Sequence, residues 1–342
     1  MPTAAATVPP LMQTEFIHQV VGKGLAGEGI SREEALALET LTGAELELLF
    51  EGTNRIREKF HGRNVKICSI VNAKSGACPE VCGFCAQASS FSTDSPEYPL
   101  MSADAIVAKA KEAEAFGSNE FSIVTSGTAV TDAGELEILK EAIRRIKAET
   151  RIEVCCSLGL MSTRHLKELK AAGLDRFHHN LETAASHFNQ VVATHAFSDE
   201  VQAVRNAQEA GLPVCVGGIF GMGETFAQRV ELALDIRDLE TDSFPVNFLK
   251  PIAGTPLEHL GLIQEQEALR AIALLRLVNP QLDMFICGGR EEVFGDNQEK
   301  VFAAGANGIL GGDYLTTKGR DPKSDIEMIE RLGLVPILET MS

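Results

Sequence analysis

The chain is poor in basic residues. Lys plus Arg number 31 against 48 Asp plus Glu, a formal net charge of −17. That balance argues against nucleic acid or an anionic membrane surface as the main partner, since both require an excess of positive charge. Long apolar runs are also missing, so no segment has the length to span a bilayer. The opening stretch, MPTAAATVPPLMQTEF, has neither a basic n-region nor an apolar h-region, and it does not read as a secretory signal. The expected compartment is the cytosol, where thiols stay reduced. Residues 65–315 hold no low-complexity stretch and no Pro/Gly/Ser linker, which favours one domain there.

What is present is a globular composition, 342 residues with 44% hydrophobic, enough for a sizeable core. Eight cysteines in a reducing compartment suggest metal or redox chemistry more than disulfides. Residues 31–60 predict helix, with Ser31 and Glu34 as a capping box and Leu46, Leu49 and Phe50 on the apolar side. From residue 65 onward, short runs rich in β-formers alternate with helical patterns. Strands are expected at 65–72, 120–126, 151–158, 174–181, 212–220, 244–250, 283–289 and 306–312. Among the helices, 135–148 places Leu136, Leu139, Ile143 and Ile146 on one stripe. Ser162 and Ser198 are expected N-caps, Gly173 and Gly211 follow helix ends, and the last helix covers 323–332. Eight strand–helix units in order predict an α/β fold, a (β/α)8 barrel of TIM type, with an open doubly wound sheet as the alternative. The expected layout is a tail and helices over 1–60, the first dozen residues flexible. A barrel over 61–335 and a short tail over 336–342 follow.

The stretch GACPEVCGFCAQ puts Cys78, Cys82 and Cys85 on the loop after the first strand. In a barrel that loop lies at the C-terminal face, where sites are built. The spacing C-x3-C-x2-C lets one loop wrap three soft thiolates around a compact iron–sulfur cluster. A [4Fe–4S] cube ligated by three cysteines keeps one iron open. Structural zinc wants a fourth protein ligand, and no nearby Cys or His supplies one.

With Phe84 as its aromatic, this loop resembles the radical S-adenosylmethionine (SAM) signature. The longer segment SGACPEVCGFCAQAS is similar to the biotin synthase family. So are HHNLET, VCVGGIFGMGET, PVNFLKPIAGTPL and FAAGANGILGGDYLTT, in that order. The resemblance implies a radical SAM (β/α)8 barrel with an N-terminal helical extension. It implies a [4Fe–4S] cluster whose open iron binds SAM, and SAM cleavage to a 5′-deoxyadenosyl radical. Sulfur from an auxiliary iron–sulfur cluster then enters dethiobiotin to give biotin. It further implies an electron donor such as flavodoxin or ferredoxin, and a homodimer.

By the same resemblance, Gly217, Ile219, Gly221 and Glu224 form the adenine-side SAM motif. The glycines allow close backbone approach there. Strand alternation puts His178, Asn180 and Glu182 on one face, with His179 and Leu181 on the other. Asn180 and Glu182 take SAM-contacting positions, and Thr125, Ser126 and Gly127 form the edge that meets the SAM methionine. Asn247 matches the residue that bonds the ureido ring of dethiobiotin, a task suited to a carboxamide with donor and acceptor. His178 stands near the substrate where the family often has Asn. His179 is expected to face the outer helices and has no assigned role.

The family's usual second cluster is a [2Fe–2S] held by three cysteines and one arginine. Cys155 and Cys215 match two of those cysteines, but Ser122 and Phe285 replace the third cysteine and the arginine. Cys287 shares the face of Phe285, displaced by roughly 6–7 Å along the strand. The expectation is a rebuilt auxiliary cluster of [4Fe–4S] type, held by Cys155, Cys215 and Cys287 with Cys156 as candidate fourth ligand. Cys68 matches no ligand position and is expected in the core. Two competing readings are a related barrel such as an [FeFe]-hydrogenase maturase, and a non-catalytic module that binds or senses an iron–sulfur cluster or zinc.

Overall fold

A computed structural model describes residues 10–337. The flexible tail expected over the first dozen residues falls mostly outside that range, and Pro10 already opens the helix Pro10–Ala26. Ser31 and Glu34 form the expected reciprocal cap. The Glu34 N–H donates to Ser31 Oγ at 3.3 Å and the Ser31 N–H to Glu34 Oε2 at 2.9 Å. The helix Ala44–His61 buries Leu46, Leu49, Phe50 and Ile56. It packs with Pro10–Ala26 onto the helix Glu265–Val278. Among the described residues, no helix is long and apolar enough to cross a membrane.

The barrel is closed. Its strands are β1 (Asn64–Lys74), β2 (Glu120–Thr125), β3 (Glu153–Ser157), β4 (Arg176–His178), β5 (Val214–Cys215), β6 (Gly218–Phe220), β7 (Ser243–Phe248), β8 (Asp283–Ile286) and β9 (Gly308–Leu310). All pair in parallel, and β9 returns to β1 through Ile309 opposite Ile67, which excludes the open sheet. β5 and β6 are two halves of the fifth expected strand, and both pair with β7. The break has a steric cause across the sheet. A Cβ on Gly217 would stand 1.9 Å from the Pro245 carbonyl oxygen, and Pro245 has no N–H to offer the ladder. Beside the start of β1 lies one further short strand, β10 (Val335–Pro336), where a tail was expected from residue 336.

Helices between strands follow their apolar stripes. Ala133–Glu149 buries Leu136, Leu139, Ile143 and Ile146. Ser162 caps Thr163–Ala172, and Gly173 ends it at φ +110°. Ser198 is not a cap: the helix starts at Phe197, and Asp199 accepts the Ala196 N–H at 2.9 Å. The main apolar cluster runs continuously from Ile17 and Leu46 through the sheet's outer face to Ile329. Inward-facing residues of each strand are left to build the interior.

Candidate active site

A cavity of about 450 Å³ opens at the C-terminal ends of the strands. The loop after β1 forms one wall and carries Cys78, Cys82 and Cys85, all free and half-buried. Backbone bonds shape it. The Cys78 N–H donates to the Gln87 carbonyl at 3.1 Å, the Ser89 N–H to the Cys78 carbonyl at 2.8 Å, and the Cys85 N–H to the Cys82 carbonyl at 2.9 Å. The Gln87 side chain pins the turn by accepting from Ser75 Oγ at 3.1 Å and the Gly76 N–H at 3.2 Å. Ala77, beside Cys78, sits at φ +50°, a strained conformation for alanine held by these bonds. Phe84 packs with Phe188, Val191 and Leu249 and also lines the cavity. Burial raises the Cys82 thiol, and pushes Cys85 up to about 11, so loss of these protons requires a bound metal.

β4 ends at His178, yet Asn180 and Glu182 still reach the same cavity. Glu182 does so at φ +63°, not as a regular strand residue. Asn180 Nδ2 donates to its carboxylate at 3.4 Å, and burial with the Glu200 charge raises Glu182 to about 8. His179 faces out as alternation requires, onto Glu200 of the helix Phe197–Glu209. Both nevertheless lie at the cavity edge and join a network absent from the sequence reading. His195 donates from Nδ1 to Glu80 at 2.8 Å and from Nε2 to Glu200 at 2.8 Å. Those bonds, Glu200 first, raise His195 to about 9. Although burial opposes it, His179 and His195 hold Glu200 down at about 2. Glu80 belongs to the cysteine loop, so this network ties that loop to the outer helix.

Thr125 lines the cavity with Ser126 and Gly127, and Ser126 Oγ donates to the Gly76 carbonyl at 2.8 Å. Ile219 lines it too. The other motif residues do not. Gly217 is pressed against β7, and Glu224 spends its carboxylate on the Gly221 and Met222 amides (2.8–3.1 Å) and on Arg229 at 2.8 Å. Gly221, at φ +93°, forms the turn that this carboxylate holds. Asn247 lies in the wall with Nδ2 donating to the Gly218 carbonyl at 3.2 Å and Oδ1 accepting the Gly288 N–H at 3.0 Å. One N–H and one lone pair of its amide stay free for a ligand.

Deeper in the barrel a second set of thiols gathers. Cys215 and Cys287 line the cavity, and Cys68 lies there with them, packed with Phe285, Cys287 and Leu310. The proximity of Glu120, Cys287 and Cys215 adds to burial in raising the Cys68 thiol. Cys155 Sγ lies within 4.8 Å of a Glu120 carboxylate oxygen and a His178 ring nitrogen. Burial pushes Cys215 up to about 12 and likewise raises Cys155 and Cys287. Cys156 is not among them. It joins the apolar cluster between sheet and helices, because β3 runs regularly through both cysteines and turns only Cys155 inward. So the expected fourth ligand points away, while Cys68, expected as core, faces in. Its signal was the parity it shares with Ile70 on β1, both lining the cavity.

The donor set fits a buried iron–sulfur cluster. Its soft thiols stand beside buried polar atoms without protein partners, namely Ser122 Oγ, Arg176 Nε and His178 Nε2. Burial, then the Arg176 charge, lowers His178 to about 3, so it is neutral there. Phe285 fills its position with a ring for which Gly308 makes room.

Residues 73–236 match the radical SAM superfamily, and residues 245–335 match the biotin and thiamin synthesis associated domain. Among solved structures, methylornithine synthase (PylB) superposes with a TM-score of 0.80 at 21% identity, covering 93% of this chain and 97% of that one. Barrel, three-cysteine loop and matched regions together define an enzyme of the radical SAM class, which works with a [4Fe–4S] cluster and SAM. Biotin synthase of Anaeromyxobacter dehalogenans is 50% identical over 309 residues, 90% of this chain and 86% of that relative. Biotin synthase of Trichlorobacter lovleyi is 48% identical over 319 residues, 93% and 96% of the two chains. The chain belongs to the biotin synthase family.

Proposed function

We propose that this chain inserts sulfur into dethiobiotin to form biotin, with SAM as co-substrate. The observation that supports it most is the single cavity shared by the three-cysteine loop, Asn247 and a second, deeper set of thiols. When bound, SAM and the two clusters supply the electron, the hydrogen-abstracting radical and the sulfur.

The chain's own residues do the rest. Cys78, Cys82 and Cys85 hold the [4Fe–4S] cluster and leave a position for SAM. Asn180 and Glu182 orient the SAM ribose. A carboxyl raised to about 8 donates as well as accepts, which suits hydroxyl partners. Ile219 and Phe84 give the apolar wall, and Thr125 the methionine edge. Asn247 grips the ureido group with its free N–H and lone pair, and neutral His178 lies near the substrate. Gly217, Gly221 and Glu224 shape the loop that carries Ile219 and do not touch SAM. Cys68, Cys155, Cys215 and Cys287 hold the auxiliary cluster, of [4Fe–4S] type and not [2Fe–2S]. Four thiolates satisfy a four-iron cube without the arginine that Phe285 replaces.

The wider reading keeps an external donor such as flavodoxin or ferredoxin, a homodimer and a cytosolic setting suited to unpaired thiols. Residues 61–335 are taken as the catalytic barrel, with the helices that begin at Pro10 as its extension. The test is an anaerobic assay with dithionite, SAM and dethiobiotin. Biotin formation and dethiobiotin-dependent release of 5′-deoxyadenosine are expected. SAM cleavage that dethiobiotin neither stimulates nor turns into biotin would overturn the reading.

A further inference from the structure

Below the deeper thiols runs a row of charges, Glu120 buried and the others half-buried, that the reaction's assigned residues do not use. Arg176 on β4 donates from Nη1 to Glu120 on β2 at 2.8 Å. Glu120 stands 4.0 Å from Lys66 on β1, and Lys66 2.7 Å from Asp283 on β8. Asp283 lies 3.3 Å from His61 at the end of the helix Ala44–His61, and burial lowers His61 toward its neutral form. Arg176 and Lys66 thus alternate with Glu120 and Asp283 across the barrel floor, and Glu153 adds a third carboxylate 3.8 Å from Arg176. A row of this kind is costly to bury and is a poor way to gain stability alone.

One atom in it is left over. Arg176 Nε is buried and has no partner, although the guanidinium is otherwise engaged. Arg176 is also the cross-strand neighbour of Cys155. Its charge favours the thiolate at both Cys155 and Cys215. A cluster with four thiolates is an anion, and the apolar Phe285 and Leu310 offer it no compensation. Arg290, the cation that acts on Cys287, is already committed to Asp325 by two bonds of 2.7 and 3.0 Å.

We infer that Arg176 is a positioning residue for the auxiliary cluster, its Nε–H donating to the Cys155 thiolate or a cluster sulfur while Glu120 holds the guanidinium in place. The positive charge missing at Phe285 is then supplied from β4, as a hydrogen-bond donor and not as a ligand. This rests on the thiol ligand set proposed above.

The test is a redox titration of the anaerobically reconstituted full chain, followed by EPR, with Mössbauer spectra and iron and sulfide counts. In Arg176→Gln the auxiliary cluster is expected to shift to more negative potential, because adding an electron loses its nearby cation. Arg176→Lys, which keeps the charge but has no Nε–H, is expected to shift less in the same direction. Glu120→Gln should shift the potential upward. The cluster at Cys78, Cys82 and Cys85 should keep its potential throughout. An unmoved auxiliary potential in both Arg176→Lys and Glu120→Gln overturns the inference alone; the lysine keeps Glu120 as its partner, and in Glu120→Gln Arg176 keeps Glu153, 3.8 Å away. A wild-type chain with only one cluster overturns it together with the ligand set.

Discussion

Cys68 shows how much one inward-facing position decides. Its sulfur is buried on β1 beside Cys215 and Cys287 in the set proposed to hold the auxiliary cluster, while Cys156 is equally buried in an apolar layer, where a thiol is only a small hydrophobe. Substitution to Ser separates the two. Cys68→Ser is expected to lower the iron and sulfide content toward that of a single cluster. Cys156→Ser should keep both clusters and cost about 1–3 kcal/mol in denaturant unfolding, since it buries a hydroxyl without a partner. Equal iron content in the two variants would remove Cys68 from the ligand set. Cys78→Ala should abolish 5′-deoxyadenosine release entirely and leave the auxiliary Mössbauer signal in place. Loss of both signals would show instead that the two clusters depend on each other.

Among the elements, the three-cysteine loop is the one that needs outside support. It has strained backbone at Ala77, and Glu80 anchors it through His195 and Glu200 to the helix Phe197–Glu209. The pH dependence of that anchor follows from the two shifts. His195 is raised to about 9, so its contribution is complete below its ordinary value near 6.5 and fades as pH rises toward 9. Glu200 is lowered to about 2, so its contribution is present above 4.5 and is lost only on acidification. Thermal melting of the cluster-free chain should show Tm falling between pH 6.5 and 9, and His195→Gln should flatten that fall. Parallel profiles for the two proteins would exclude the anchor. The cysteine spacing is local, and it marked the loop without help. Glu80 stands 115 residues before His195 and shares no motif with it or with Glu200, so only closure of the barrel makes them neighbours.

For the molecule as a whole, the C-terminal helix Pro322–Arg331 is locked to the barrel by Asp325, which pairs with fully buried Arg290 at 2.7 Å. Arg290 Nη2 also donates to the Leu310 carbonyl of β9 at 3.3 Å, close to where β9 meets β1. Breaking such a pair from one side leaves buried Asp325 with only the longer contact to Arg320 at 3.5 Å. Arg290→Met is expected to cost about 3–5 kcal/mol by denaturant unfolding, and Arg290→Met/Asp325→Leu should recover most of it. If the double variant were no better than the single one, the pair would matter for its hydrogen bonds and not for its charge.

The local pattern of the sequence determined the eight strand–helix units, the capping box at Ser31, the helix stop at Gly173 and the three-cysteine loop. Each depends on residues within a turn or two of one another, so backbone geometry and spacing suffice. Tertiary structure alone decided the break at Gly217, imposed by Pro245 of another strand, and that Cys68 faces into the barrel while Cys156 faces away. It also placed Arg176 beside Cys155. Strand alternation says that adjacent residues face opposite ways, but not which of them faces in. That choice is made only when the sheet curls and one face becomes the inside of a closed barrel.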